Sequence, residues 1–400
     1  MNPHFSYCLS FSIALLAYGL GWSALYPKLG ASVVAFLIAT IILHFILGYR
    51  WRANSRSEYK PIQGFAVPLH IVITIFIYLF WTIDFAWEGG IPLMKIVLSQ
   101  PYDYRQFGAP SLHVFTVTFA SFYTVFLFHE YLSHRNKIIL ALYLVNLVAA
   151  ILIYSRAMFV FNLIGSIFLL LMSMKSISKR FVVVSVFGFV ILGYLFGILG
   201  TLRVSREAQS AYDNNLFLKI GEAKPSFSES FIPAEYFWSY MFITSPLANF
   251  QFNVNTAREN GITLDRFAEM ANNEILMDFI SKRINAVTGS VRKSDNIVHP
   301  SFNVSTVYSR CYSYAGWFGV LFMAIILLAL PLLFIKLIPS SSPFYMTAVA
   351  IMSTMFLFLA YDNTIRFTGL SFQLVYPVIL SFLVSKLHLF RNNTKQISPV

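Results

Sequence analysis

Apolar runs separated by short charged connectors recur along the 400 residues. A helix needs about 17–25 predominantly apolar residues to cross a bilayer. By that measure the pattern predicts ten spans, at about 5–25, 31–47, 64–83, 112–128, 138–154, 158–172, 181–200, 315–335, 344–361 and 369–385. One long polar stretch breaks the rhythm, residues 201–314. It holds eleven of the 29 Lys+Arg and eleven of the 17 Asp+Glu, so it is close to neutral. Spans on both sides force it to emerge on one face of the membrane. The expected architecture is an all-α integral membrane protein in three parts. Residues 1–200 form seven spans with a smaller loop at 84–110, residues 201–314 form a large loop with short helices, and residues 315–400 form three spans and a tail.

Composition agrees. The chain is 57% hydrophobic and 12% charged, where a soluble domain carries roughly 25% charged residues. The net charge of +12 sits in short connectors between spans, which points to a membrane orientation signal and away from nucleic acid. With the N-terminus inside, inner segments hold thirteen Lys+Arg and short outer segments five. Both termini are therefore expected in the cytoplasm and the large loop outside. The first apolar run has no charged leader region or small-residue cleavage site and reads as a span. Trp22, Trp51, Trp81, Trp87 and Trp317 fall near span ends, as an interfacial belt would. Cys8 and Cys311 form no metal-binding or disulfide pattern, and no cofactor is implied.

No Asp, Glu, Lys or Arg falls in the middle of a predicted span, which argues against an ion-coupled carrier. His44 and His70 are the ionisable side chains at that depth, and each reads as a buried histidine bonded to a neighbouring carbonyl. Arginines collect at the outer face instead. Arg156 lies in a tight turn between spans and suits either a lipid headgroup or a phosphate ligand. Arg203 and Arg206, three apart beyond the seventh span, would share one helix face and suit a diphosphate; they also suit a helix C-terminus. Arg310 enters the eighth span from the same side, and Arg366 stands near Asp362 as a surface tie. His113 and His299 are outer-face histidines able to take a proton from a hydroxyl. Asp84, Glu88 and Asp103 are rival bases. The aromatic stretch 231–252, with Tyr236, Trp238 and Asn249, suits sugar rings, an interfacial helix or the core of the loop.

Several short motifs in order resemble those of the O-antigen polymerases, the Wzy-type oligosaccharide repeat-unit polymerases. They are Glu88-Gly-Gly-Ile-Pro, Phe107-Gly-Ala-Pro-Ser-Leu-His, Tyr154-Ser-Arg, Ser245-Pro-Leu-Ala-Asn-Phe, Asn303-Val-Ser-Thr and Gly316-Trp-Phe-Gly. The similarity covers the layout of essentially the whole chain. It implies a GT-C-like glycosyltransferase at the periplasmic face of the inner membrane, acting on undecaprenyl-diphosphate-linked oligosaccharide without a metal. The growing glycan would pass from its carrier to a new lipid-linked unit, with inversion, and a chain-length regulator is an expected partner besides membrane lipids. On that basis Arg156, Arg203, Arg206 and Arg310 are expected to clamp the diphosphate, and His113 or His299 to act as base. Tyr236, Trp238 and Asn249 are expected to contact glycan. The Arg-x10-Gly pattern of some members is not kept: Asn214 and Phe217 stand at the glycine positions after Arg203 and Arg206. An O-antigen ligase, a flippase or other transporter, and a structural or adaptor membrane protein are the rival readings.

Overall fold

The structure is a computed structural model that describes residues 2–53, 59–62, 64–98, 100, 102, 107–207, 215–257 and 263–395. In chain order its helices are α1 (Pro3–Gly19), α2 (Ala31–Ala53), α3 (Val67–Trp87), α4 (Pro92–Val97), α5 (Leu112–His134), α6 (Lys137–Leu152), α7 (Arg156–Ser173) and α8 (Lys179–Glu207). The loop contributes α9 (Leu216–Ile220), α10 (Pro225–Ser228), α11 (Glu235–Thr256), α12 (Leu264–Met270), a π-helical turn (Ala271–Ile275) and α13 (Asp278–Thr288). The chain closes with α14 (Ser309–Phe334), α15 (Tyr345–Phe358), α16 (Thr368–Ser371) and α17 (Val375–Lys395). The described residues form no strand, only an isolated bridge between Ser23 and Ala223.

Among the described residues, seven helical stretches are long and apolar enough to cross a membrane: α2, α3, α5, α7, most of α8, α14 with the turn after it, and α16 with the first half of α17. Helices α6 and α15 are apolar but shorter, at 16 and 14 residues, and α1 has 17. Local chemistry sets the ends. Asn2 caps α1 by accepting the Phe5 N–H, with Pro3 at the first helical position. Asn136 and Ser155 cap α6 and α7 in the same way. Helix α14 is broken near its start by Ala315 and Gly316, the latter at φ +55, a backbone that favours glycine.

The helix expected to be the ninth span behaves differently from its neighbours. Twelve of the 14 residues of α15 are buried. Phe344, just before it, packs on Phe122 and Phe126 of α5, while Thr354, ten residues on, still faces Val125 across Gly165. The helix is wedged among α1, α5 and α7, and Thr347 also meets His129 of α5 at 3.2 Å. Helix α8 is the opposite case: only 6% of its apolar stretch is buried. It meets the protein along its second half, where Gly193, Gly197 and Gly200 face α11. A Cβ at Gly197 would collide with the Glu235 carbonyl, and one at Gly200 with the Trp238 ring, so glycine permits this close approach.

Three expectations change. Trp51 and Trp81, placed by sequence in an interfacial belt, are 1% exposed and belong to the core. His44 and His70 are buried as expected, but their partners are the side chains of His4 and Tyr123, each at 2.9 Å. Finally, α5 runs six residues past the predicted span end, so Glu130 is a buried charge within a helix.

Candidate functional site

One end of the bundle gathers the end of α3, the starts of α5, α7 and α14, and the 359–367 hairpin after α15. Bonds from the large loop tie these together. The Asp278 N–H donates to the Arg366 carbonyl at 2.9 Å, and the Val307 N–H donates to the Leu359 carbonyl at 3.0 Å. Arg283, on α13, donates to the Ser111 hydroxyl at 2.7 Å and so lays α13 over the loop that precedes α5.

His113 stands in the first turn of α5. Its Nδ1 lies 2.9 Å from Asp84 Oδ2, on the last turn of α3. Asp84 is fully buried, while the His113 side chain is 25% exposed. The second oxygen of Asp84 accepts the Ala109 N–H at 3.0 Å, and Glu88 accepts the Gly108 N–H at 2.9 Å. Two carboxylates, Asp84 on the last turn of α3 and Glu88 just after it, therefore fix the loop that delivers the histidine. Gly108 has φ +93, and a Cβ there would lie 2.5 Å from the His113 ring, so this position requires glycine. With Asp84 accepting from Nδ1–H, the tautomer leaves a lone pair on Nε2, the arrangement of an oriented general base. Sequence alone treats Asp84 as a competitor of His113; the structure makes it the partner.

A second group lies beside the hairpin. The π-helical turn bends Glu274 into the protein, where it is 1% exposed. Arg292 grips it with two bonds of 2.8 Å each, and Asn363 donates to both its carbonyl and its carboxylate. Burial opposes the Arg292 charge, yet Glu274 together with Asp362 and Asp295 outweighs it and the guanidinium pKa is raised. Arg310 pairs with Asp295 at 3.4 Å, too poorly aligned for a hydrogen bond. Burial raises the Asp295 pKa against the pull of Arg310. Arg366 completes the group: its Nε is buried with no hydrogen-bond partner. Burial and then the charge of Arg292 push its pKa down, with Arg310 adding to the effect. Three guanidiniums thus meet the carboxylates of Glu274 and Asp295 in one half-buried group, in which the Arg366 and Arg310 Nε donors carry no hydrogen bond.

The other expected residues divide. Arg156 is exposed at the first position of α7, its guanidinium 5.9 Å from the Tyr154 ring centre. No ion pair or hydrogen bond links it to the arginine group among the described residues. Arg203 and Arg206 fall near the end of α8, as one helix face requires, but their side chains lie outside the described residues, as do Asp103 and Arg105 altogether. Asp362 accepts the Asn363 N–H instead of pairing with Arg366.

His299 closes a turn: its Nδ1 accepts the Ser301 N–H at 3.2 Å. That bond leaves the proton on Nε2 in the neutral ring, the wrong tautomer for a base. Asn249 is fully buried; its amide donates to the Phe302 and Val304 carbonyls and accepts the Val298 N–H, so it pins residues 298–304 and offers nothing to a glycan. Tyr236 donates to the Val190 carbonyl at 3.1 Å, and Trp238 packs on Phe217 with ring centres 3.8 Å apart. These two aromatics dock α11 on α8 and its neighbours. Sequence reasoning missed Glu274, Asp295 and the Arg292 contact, because each needs the π-helical turn and hairpin to meet. No family model, curated protein or solved structure matches the chain.

Proposed function

We propose that the chain is a lipid-linked oligosaccharide polymerase of the Wzy type, with ten crossings in a GT-C-like layout. Both termini would be cytoplasmic, and the large loop and the site described above would face the periplasm. The observation that carries this reading is the His113–Asp84 pair at the same end of the bundle as Arg292, Arg310 and Arg366. A base and an anion site are the two elements that glycosyl transfer from a lipid diphosphate requires.

In this reading His113 Nε2 takes the proton of the acceptor sugar hydroxyl, and Asp84 stabilises the imidazolium that results. The acceptor oxygen forms its bond to the anomeric carbon as the bond to the diphosphate oxygen breaks. The electron pair of that bond stays on the diphosphate, and attack from the opposite face inverts the centre. Arg366, with its free Nε, and Arg310 stabilise the charge that develops on the leaving group. Arg292 is committed to Glu274 and acts through its field. Diphosphate is a good leaving group, so no general acid is needed. In this reading Arg310, expected in the clamp with Arg156, Arg203 and Arg206, works with Arg292 and Arg366.

A gel of lipopolysaccharide from a strain lacking the gene tests the reading. Core bearing a single repeat unit, with the ladder lost, is the expected result. Bare core with periplasmic lipid-linked polymer would make the protein a ligase. An unchanged ladder would overturn the polymerase assignment.

A further inference from the structure

At the opposite end of the bundle, Glu130 lies in the last turns of α5 with its carboxylate buried. Its Oε1 accepts the Phe65 N–H at 3.0 Å, but its Oε2 has no hydrogen-bond partner. No lysine or arginine pairs with it among the described residues; Nε2 of His70 and of His134 flank Oε1 at 3.8 Å each, too far for hydrogen bonds. A buried carboxylate left in this way calls for a cationic, hydrogen-donating partner.

Space for one is present. A cavity of about 590 Å³ opens between the start of α3, the end of α5 and the start of α6, with Glu130 and His134 in its wall and Val67 and Ile139 on its apolar side. Gly64 keeps the crevice open: a Cβ there would lie 2.8 Å from His134 Nε2 and 3.1 Å from Glu130 Oε1. The rim has the opposite charge from the floor. Arg135 and Lys137, both exposed, flank Asn136, which lines the cavity. An acidic floor, a basic rim and an apolar wall at the starts of two apolar helices match a zwitterionic amphiphile, head inward.

We propose that this cavity binds the headgroup of a phospholipid carrying a primary ammonium. The ammonium donates to the Glu130 carboxylate, the phosphate sits at the Arg135–Lys137 rim, and the glycerol end rests on Val67 and Ile139. His134, 42% exposed, is the side chain that moves aside to admit it. A quaternary ammonium has no N–H to satisfy Oε2, and a glycerol headgroup brings no cation.

The test is lipid binding to the full-length protein in detergent, by native mass spectrometry, with phosphatidylethanolamine, phosphatidylcholine and phosphatidylglycerol of identical chains. The ethanolamine lipid should bind at least about tenfold more tightly than either of the others. Glu130→Gln and Gly64→Ala should abolish that preference. Gly64 is exposed and outside the left-handed region, so Gly64→Ala tests the crevice even where Glu130→Gln fails to fold. Equal binding of the three lipids by the wild type, or a preference that survives in Gly64→Ala, would overturn the proposal.

Discussion

The Asp84 carboxylate holds the His113 imidazole from behind, Oδ2 to Nδ1 at 2.9 Å, while its other oxygen holds the Ala109 backbone of the loop that leads to the same histidine. One buried side chain thereby sets both the tautomer and the position of the proposed base. Asp84→Asn keeps the size but can present its N–H₂ to Nδ1, which favours the opposite tautomer. Polymerisation by Asp84→Asn should fall by about 10²–10⁴, the range for loss of a general base. Asp84→Asn/His113→Gln should be no worse than His113→Gln alone. Ladder formation in membranes with matched protein levels is the readout, and additive losses would separate the two residues.

Gly108 gives a geometric version of the same test. Its methyl-bearing variant Gly108→Ala would face φ +93 and contact with the His113 ring, at a cost of about 1–3 kcal/mol in strain. Activity should fall with His113 displaced while the helical content stays intact by circular dichroism. Normal activity would show that the loop tolerates a shift of the base.

Glu274 and Arg292 should behave as a buried pair. Removing one partner leaves the other charge uncompensated, so Glu274→Ala should lower stability by about 3–5 kcal/mol. Replacing both, as Glu274→Leu with Arg292→Met, should recover most of the loss, since a buried ion pair is weak net stabilisation. Thermal unfolding in detergent compares the three proteins. The double variant should nonetheless lack activity if the Arg292 field serves the leaving group.

Asp295 has a folded pKa raised above its unfolded value, with burial as the main cause. The folded state thus binds this proton more tightly, so its stabilising effect is full below the unfolded carboxylate pKa and is lost as pH rises through the folded value. Asp295→Asn is free of this dependence. The melting temperature of Asp295→Asn relative to wild type should therefore climb as pH is raised from about 4, near the ordinary carboxylate pKa, toward neutrality. A difference that stays flat or shrinks contradicts the direction of the shift.

Much of the scaffold is legible in the chain, because apolar length and periodicity report burial in lipid directly. Candidate residues are legible by type but not by pairing. His113 is visible as a histidine at a helix start, whereas Asp84, 29 positions earlier, looks like its rival until the 107–113 loop folds back. Asn249 and Tyr236 look like sugar-binding chemistry, yet the same groups serve as backbone anchors when buried. Trp51 and Trp81 mislead for a related reason: a tryptophan near a span end suits an interface, but nothing in the sequence shows the helix packed against its other side. Glu130 escapes notice because a hydropathy run ends at the first charge, while the helix itself does not.

Helix α8 is glycine-faced where it meets α11 and otherwise lined by its own exposed apolar side chains, so its seat in the bundle rests on that one close contact. Helix α11, docked on it, carries Asn249 and Asn253, and Asn253 holds the Ser309 carbonyl next to Arg310. The least buried of the candidate spans is thus joined through α11 to the residue beside an arginine of the proposed anion site, a path by which the lipid environment would reach the chemistry.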